Sequence, residues 1–117
     1  MTTIQKFEDI VAWQKAKVFS LVIYSTFVGC KDFSFKNQIE RAAVSIMNNI
    51  AEGYERQTNK EFRNFLFIAK GSSGEVRSML ALALDLGYIN NQQYLVLADH
   101  ASEISKILSG FIKTLKT

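Results

Sequence analysis

The sequence predicts an all-α fold, an antiparallel up-down-up-down four-helix bundle, and three observations support this. The 117 residues include no proline, which β-rich and loop-rich folds normally use at turns. Apolar residues recur at helical spacing in four stretches, at about residues 9–27, 35–54, 59–86 and 91–115. The links between these stretches are short. Sequential helices are therefore expected to be antiparallel neighbours within a single domain, residues 1–117.

The first helix is predicted to begin at Asp9, whose carboxylate can act as the N-cap. Val18, Leu21 and Val22 add apolar surface outside its core stripe. A helix that is apolar over more than half of its circumference is usually buried on two sides. We therefore expect one side to face the bundle and the other to face another subunit. The core stripe consists of Ala12, Ala16, Phe19, Ile23 and Phe27.

Gly29 is predicted to adopt a left-handed conformation just past the end of the first helix. The second helix is predicted to take Ser34 as its N-cap. A polar stripe runs beside its core face. This stripe is either a solvated face or a half-buried network that also includes Glu75 of the third helix. Small residues beside the stripe favour close approach of another helix, and polar groups beneath such a contact must be hydrogen-bonded to one another. The predicted network consists of Gln38, Arg41, Ser45, Asn49 (or its neighbour Asn48), Glu52 and Glu75.

The third helix has the clearest start, the capping box T-N-K-E at Thr58–Glu61, and Gly87 is its predicted C-terminal stop. The run F-L-F-I at Phe65–Ile68 is apolar all round, which again favours burial on two sides. Gly71 and Gly74 each cost ~1 kcal/mol relative to alanine in a helix interior, so close helix packing is expected there. The run K-G-S-S-G lacks the spacing of a phosphate-binding loop.

The fourth helix is predicted to open with a capping box of Asn90 and Gln93 and to continue as a heptad seam from Tyr94 to Leu115. Several lysines lie outside the predicted core stripes of this helix and of the N-terminal region. They are candidate phosphate contacts, and the alternative is an ordinary solvated face. The candidate nucleic-acid contacts are Lys6, Lys15, Lys17, Lys106, Lys113 and Lys116.

The net charge is +3, from 14 basic and 11 acidic residues, and it is spread evenly along the chain. A monomer with this balance of charges is a weak candidate for a nucleic-acid-binding protein. A ring of several copies would multiply the charge and strengthen the prediction.

No catalytic residue, cofactor, metal site or small-molecule substrate is predicted. Cys30 is the single cysteine, so it forms no internal disulfide and favours a reduced, cytoplasmic setting. His100 is the single histidine and has no partner for a metal site. The longest apolar run, Met79–Leu84, is too short to span a membrane. An enzyme is the least favoured interpretation, since it depends on a carboxylate pair drawn from several glutamates: Glu52, Glu61 and Glu75.

Three stretches of the chain carry a family resemblance: F-E-D-I-V-A-W-Q-K-A at Phe7–Ala16, Q-I-E-R-A-A-V-S-I-M-N-N-I-A-E-G at Gln38–Gly53, and F-R-N-F-L-F-I-A-K-G-S-S-G-E at Phe62–Glu75. Together they resemble the bacterial four-helix-bundle family that includes proteins encoded by intervening sequences in 23S ribosomal RNA genes. The resemblance implies a bundle that commonly assembles as a homopentamer, without an established enzymatic activity. A related branch is the accessory protein of diversity-generating retroelements, which works with a reverse transcriptase and binds nucleic acid through a basic surface. This chain departs from that branch in being only mildly basic.

These observations lead to two expectations for function. The first is a non-enzymatic homo-oligomeric scaffold that contacts ribosomal RNA or a ribonucleoprotein, and the resemblance implies a ring of five copies. The alternative is a protein-binding adaptor such as a reverse-transcriptase accessory protein, in which a ring would present repeated grooves between helices.

Overall fold

The computed structural model describes residues 3–117 and confirms the predicted all-α four-helix bundle. A short 3-10 helix at Phe7–Asp9 precedes α1 (Val11–Thr26), α2 (Phe33–Tyr54), α3 (Asn59–Asp85) and α4 (Asn91–Thr114). The 27 residues of α3 span about 40 Å at ~1.5 Å each, close to the 44 Å long axis of the molecule. None of these helices contains a stretch long and apolar enough to cross a bilayer.

The helices follow one another around the bundle as antiparallel neighbours. Each helix packs on the next along the chain, and α4 returns to α1 with the fewest contacts of the four neighbouring pairs. The pairs α1–α3 and α2–α4 do not adjoin, so they occupy diagonal positions. The seam between α1 and α4 is therefore the loosest part of the bundle.

The core is continuous along all four helices and follows the predicted stripes. All five stripe residues predicted for the first helix are buried. In the later helices the central positions are buried, while Tyr54, Tyr94 and Phe111 pack half-buried against the core. The largest side chains that are fully enclosed include Phe19, Phe27, Ile39, Ile46, Ile50, Leu66, Leu80 and Leu108.

Two predicted N-caps are wrong, and in each case a nearby residue or turn explains the difference. Asp9 lies in the 3-10 turn, where its carboxylate accepts from the Gln5 amide at 3.0 Å. Helix α1 begins after Ile10, which offers no side-chain cap. Helix α2 begins at Phe33, because the Asp32 carboxylate reaches the Phe35 amide at 3.1 Å and leaves the predicted cap Ser34 inside the first turn.

The prediction that Gly29 adopts a left-handed conformation after the first helix is also wrong. Helix α1 ends at Thr26, and the Cys30 amide donates to the Phe27 carbonyl at 3.0 Å in an ordinary turn. Among the described residues, only Gly87 has a positive φ, of 78°, at its predicted place just past α3.

The two predicted capping boxes differ in completeness. Asn90 and Gln93 exchange both bonds, at 2.8 and 2.9 Å, as predicted. Thr58 accepts from the Glu61 amide at 3.2 Å, but its hydroxyl also donates to the Glu61 carboxylate at 3.0 Å. The return bond to the Thr58 backbone is replaced by this side-chain contact.

One polar contact ties the start of α2 to the end of α3. The Tyr88 hydroxyl donates to the Asp32 carboxylate at 2.7 Å. This bond, together with the one from the Phe35 amide, lowers the pKa of the Asp32 carboxyl. The same bond to Asp32 raises the pKa of Tyr88. The Asp32 side chain therefore serves both as the N-cap of α2 and as an anchor for the α3–α4 link.

Candidate functional site

The six candidate lysines do not form one common surface. Lys15 lies in the α1–α4 groove, where its ammonium is 2.6 Å from the Glu103 carboxylate. The hydrogen bond and the positive charge of Lys15 lower the pKa of Glu103. The negative charge of this carboxylate balances the charge of Lys15. Lys17 lies over the Trp13 ring at 5.6 Å. Lys6 precedes the 3-10 helix and Lys116 follows α4, and both are exposed.

The remaining two candidates, Lys106 and Lys113, lie together with two cations that the sequence analysis missed. Lys70 and Arg77 of α3 line the same groove between α3 and α4. Lys70 and Arg77 are seven residues apart on α3, and so are Lys106 and Lys113 on α4. Seven residues make nearly two full helical turns, so the two members of each pair lie on the same side of their helix. We name this surface the basic groove. Its volume is about 530 Å³.

The register of the basic groove is set by a buried hydrogen bond. The Ser73 hydroxyl donates to the Ala101 carbonyl at 2.8 Å, and Ser73 is fully enclosed. This contact holds α3 against α4 at the centre of the bundle. It places the Lys70–Arg77 edge of α3 beside the Lys106–Lys113 edge of α4.

The lining of the basic groove contains no carboxylate. Its other side chains are the hydroxyls of Ser102, Ser105 and Ser109, beside Gly110. Ion pairs within residues 3–117 join Lys15 to Glu103 and Arg56 to Glu52, so none involves a cation of this groove. The groove therefore combines four unpaired positive charges with hydroxyl donors.

A second polar feature lies in the seam between α2 and α3. The Ser45 hydroxyl is 3.0 Å from the Ser72 hydroxyl. The Asn49 side-chain amide donates to the Ser45 carbonyl at 2.8 Å and to its hydroxyl at 2.9 Å. The structure thus joins two of the six predicted network residues, Ser45 and Asn49, and adds Ser72. The signal for Ser72 was its place in K-G-S-S-G, beside two helix-interior glycines.

The other four predicted network residues lie outside this hydrogen-bonded group. Gln38, Arg41 and Glu75 line an adjoining depression of about 540 Å³ between α2 and α3, where no ion pair joins the described side chains. Glu52 is directed toward solvent and pairs with Arg56 at 3.3 Å. One of the three carboxylates named for the enzyme interpretation is therefore engaged in a surface ion pair.

Apolar side chains on two diagonal helices remain uncovered by the bundle. On α1 and the following turn, Val11, Val18, Leu21 and Val28 are 54, 54, 62 and 74% exposed. On α3, Phe67, Ile68 and Leu82 are about half exposed. We name these the α1 face and the α3 face. They belong to diagonal helices, so they point away from each other. Within residues 3–117, no atom outside the neighbouring turns of α3 lies within 4 Å of a β-carbon built on Gly71 or Gly74. The close packing expected at these glycines does not occur inside the monomer.

The single histidine and the single cysteine have structural surroundings. His100 lies edge-on to Phe19, with ring centroids 6.0 Å apart. Cys30 is half-buried in the α1–α2 link, with its sulfur 3.8 Å from the Asp32 carbonyl. Within residues 3–117, no three histidine, cysteine, aspartate or glutamate side chains group as metal ligands.

Comparisons with known proteins agree on the family and the fold. Residues 8–110 match the family model described as 23S rRNA-intervening sequence protein. The crystal structure of a protein of unknown function from the S23 ribosomal protein family of Bacteroides thetaiotaomicron VPI-5482 is similar, with a TM-score of 0.83 and 33% sequence identity. The match covers 88% of this chain and 99% of that chain. No curated protein matches the sequence significantly.

Proposed function

The chain belongs to the 23S rRNA-intervening sequence protein family, and from this premise we propose that it is a non-enzymatic scaffold that assembles from several copies and contacts RNA or a ribonucleoprotein. The proposal has two parts, self-assembly and RNA contact, and the second depends on the first. The assembled charge makes the RNA contact strong, while the assembly itself needs only the apolar faces.

The observation that carries the proposal is the pair of uncovered apolar faces on diagonal helices. Burial of apolar surface is the main driving force for association. Because the α1 face and the α3 face differ and point apart, a contact between them joins copies head to tail rather than by a twofold axis. Head-to-tail contacts close into a ring when the rotation allows it and otherwise give filaments. The glycines of α3 would let a helix of the next copy approach closely. We propose closure at five copies, as the family resemblance implies.

A ring changes the electrostatics of a mildly basic chain. One copy carries +3, and five copies carry five times that value, +15. A concentrated positive field attracts polyanions, and binding through several phosphates falls steeply with salt. Linked sites on one ring also act together, which raises the overall affinity.

The test of this function is retention of structured RNA by the purified protein on a filter at low salt. We expect retention at about 50 mM salt that falls by orders of magnitude at about 200 mM. Light scattering on the same sample reports whether the protein is assembled. No retention of RNA by the assembled protein at low salt would contradict the proposed function.

A second candidate function is a protein-binding adaptor, such as a partner of a reverse transcriptase. It is favoured by the groove of about 380 Å³ in the loose α1–α4 seam, where Val11, Val18 and Ile104 supply apolar lining. Such a groove can receive an amphipathic helix. Capture experiments from cells carrying the native gene neighbourhood should then yield a partner that Val18→Glu releases. Recovery that is unchanged by this variant would exclude the groove as the docking site.

A further inference from the structure

We propose that the basic groove between α3 and α4 holds the phosphate backbone of double-helical RNA and does so without reading its sequence. This inference rests on the proposed function, since it names the site and the form of the RNA partner. Lys70, Arg77, Lys106 and Lys113 supply the charge.

The first argument is the placement of these four charges. Lys70 and Arg77 are seven residues apart on α3, and Lys106 and Lys113 are seven residues apart on α4. At ~1.5 Å per residue the two members of each pair are separated by about 10 Å along the groove. Phosphates repeat along a nucleic-acid strand at shorter intervals, about 3.4 Å of helix axis in B-DNA, so each of the cations can meet a phosphate of one backbone without needing a particular register. None of the four is engaged by a carboxylate within the described chain, so their charge remains available.

The second argument is the floor of the groove. Ser102, Ser105 and Ser109 are half-buried there and, unlike Ser73, make no side-chain hydrogen bond within residues 3–117. Serine hydroxyls donate to phosphate oxygens and can donate to or accept from ribose 2′-hydroxyls. Gly110 is open, since no described atom outside the adjacent turns of α4 lies within 4 Å of its Cβ position. A backbone can therefore lie close to the helix surface between the cations.

The third argument concerns what the lining lacks. No aromatic side chain lines the basic groove. Proteins that hold single-stranded RNA stack its bases on aromatic rings, whereas duplex RNA is recognised by shape and by contacts to phosphates and 2′-hydroxyls. The groove also offers no large apolar side chain, which an acidic peptide would use for its own apolar residues. The lining thus favours duplex RNA over a single strand and over a peptide.

The test compares two double variants, one with Lys106→Ala and Lys113→Ala, the other, as control, with Lys31→Ala and Lys60→Ala, which lie outside the lining of the basic groove. Both pairs remove two exposed lysines and the same charge from each copy. The probe is an RNA hairpin of about 20 base pairs, long enough for one duplex-binding face. For the groove variant we expect affinity to fall about 10-fold or more at low salt and the slope of affinity against salt to decrease by roughly 2 per copy engaged. For the control we expect less than about a 3-fold loss.

The outcomes distinguish failure of this inference from failure of the proposed function on which it rests. If wild-type protein binds the hairpin and both double variants lose the same affinity, the basic groove is not the binding site, while the proposal of RNA binding is retained. If wild-type protein binds no RNA, the proposed function itself fails. A scrambled hairpin should bind equally well, and a single strand of equal length should bind more weakly. A strong preference for one sequence, for the single strand or for an acidic peptide would overturn the inference. Circular dichroism and light scattering check that the variants fold and assemble.

Discussion

A β-carbon built on Gly53 near the end of α2 would lie 2.7 Å from the β-carbon of Phe65 in α3, closer than real β-carbons approach other atoms. It would also lie 2.9 Å from a ring carbon of Phe62. Gly53 is buried, and its missing side chain lets the two helices meet just before and after the link that joins them. This is the physical role of the glycine in the N-I-A-E-G stretch.

The first prediction concerns this close approach. Gly53→Ala should destabilise the protein by about 1–3 kcal/mol, because the added methyl group forces α2 and α3 apart near their link. The measurement is chemical or thermal unfolding. The matched control is Gly29→Ala, since Gly29 has a non-positive φ and nothing within 4 Å of its Cβ position. Equal stability of the two variants would contradict the steric account.

The second prediction concerns the polar seam between α2 and α3. Ser45→Ala should cost about 1–3 kcal/mol, because it leaves the part-buried Ser72 hydroxyl without its partner and removes one of the two bonds that the Asn49 amide donates to Ser45. Glu52→Ala is the control and should change stability by less than about 0.5 kcal/mol, because its ion pair with Arg56 is exposed. The double variant Ser45→Ala with Ser72→Ala should cost less than the sum of the single changes. Additive losses would show that the serines do not interact.

The third prediction concerns pH and the bond between Tyr88 and Asp32. The folded pKa of Asp32 is lowered, so its contribution to stability is present above the ordinary value of 3.8 and is lost as pH falls through the lower folded value. The folded pKa of Tyr88 is raised, so its contribution is present below 10.0 and is lost as pH rises through the higher folded value.

Tyr88→Phe removes the hydrogen bond and should flatten both limbs of the stability profile. Thermal unfolding followed from acid to alkaline pH measures this change. Tyr24→Phe is the control, because Tyr24 is exposed on α1 and makes no side-chain hydrogen bond in the described chain. If Tyr88→Phe and wild type show the same dependence on pH, the hydrogen bond does not contribute as the structure indicates.

The fourth prediction concerns the α1 face. Val18→Glu combined with Leu21→Glu should break the assembly, since burying two unpaired carboxylates at an interface is costly. Both positions are more than half exposed in one copy, so the monomer should keep its helical content. A matched control is Gln57→Glu with Gln92→Glu, which adds carboxylates at exposed polar positions away from both faces. The measurement is the mass in solution, and an unchanged mass in the first variant would exclude the α1 face from the interface.

The fold could be predicted because its signals are local. Helical spacing of the core, the Asn90–Gln93 box and the stop at Gly87 each depend on a few neighbouring residues. The start of α2 was less predictable. Two capping residues, Asp32 and Ser34, stand two positions apart, and only the distance to the Phe35 amide decides between them.

The candidate site could be predicted only in part, because it depends on how distant segments meet. Lys106 and Lys113 were visible as a lysine pair on one helix. Lys70 and Arg77 gain significance only when the Ser73–Ala101 hydrogen bond sets α3 beside α4. The polar stripe of α2 likewise gave no means of distinguishing its bonded members from its solvated ones. That difference depends on which positions face α3.

The most direct test of the central claim, that the uncovered apolar faces join copies into a ring, is the molecular mass in solution by light scattering at micromolar concentration. The account predicts a mass near five times 13.3 kDa, about 66 kDa. A mass of 13.3 kDa across the working concentration range would contradict it, and the multiplied positive charge on which RNA binding depends would be lost with the ring.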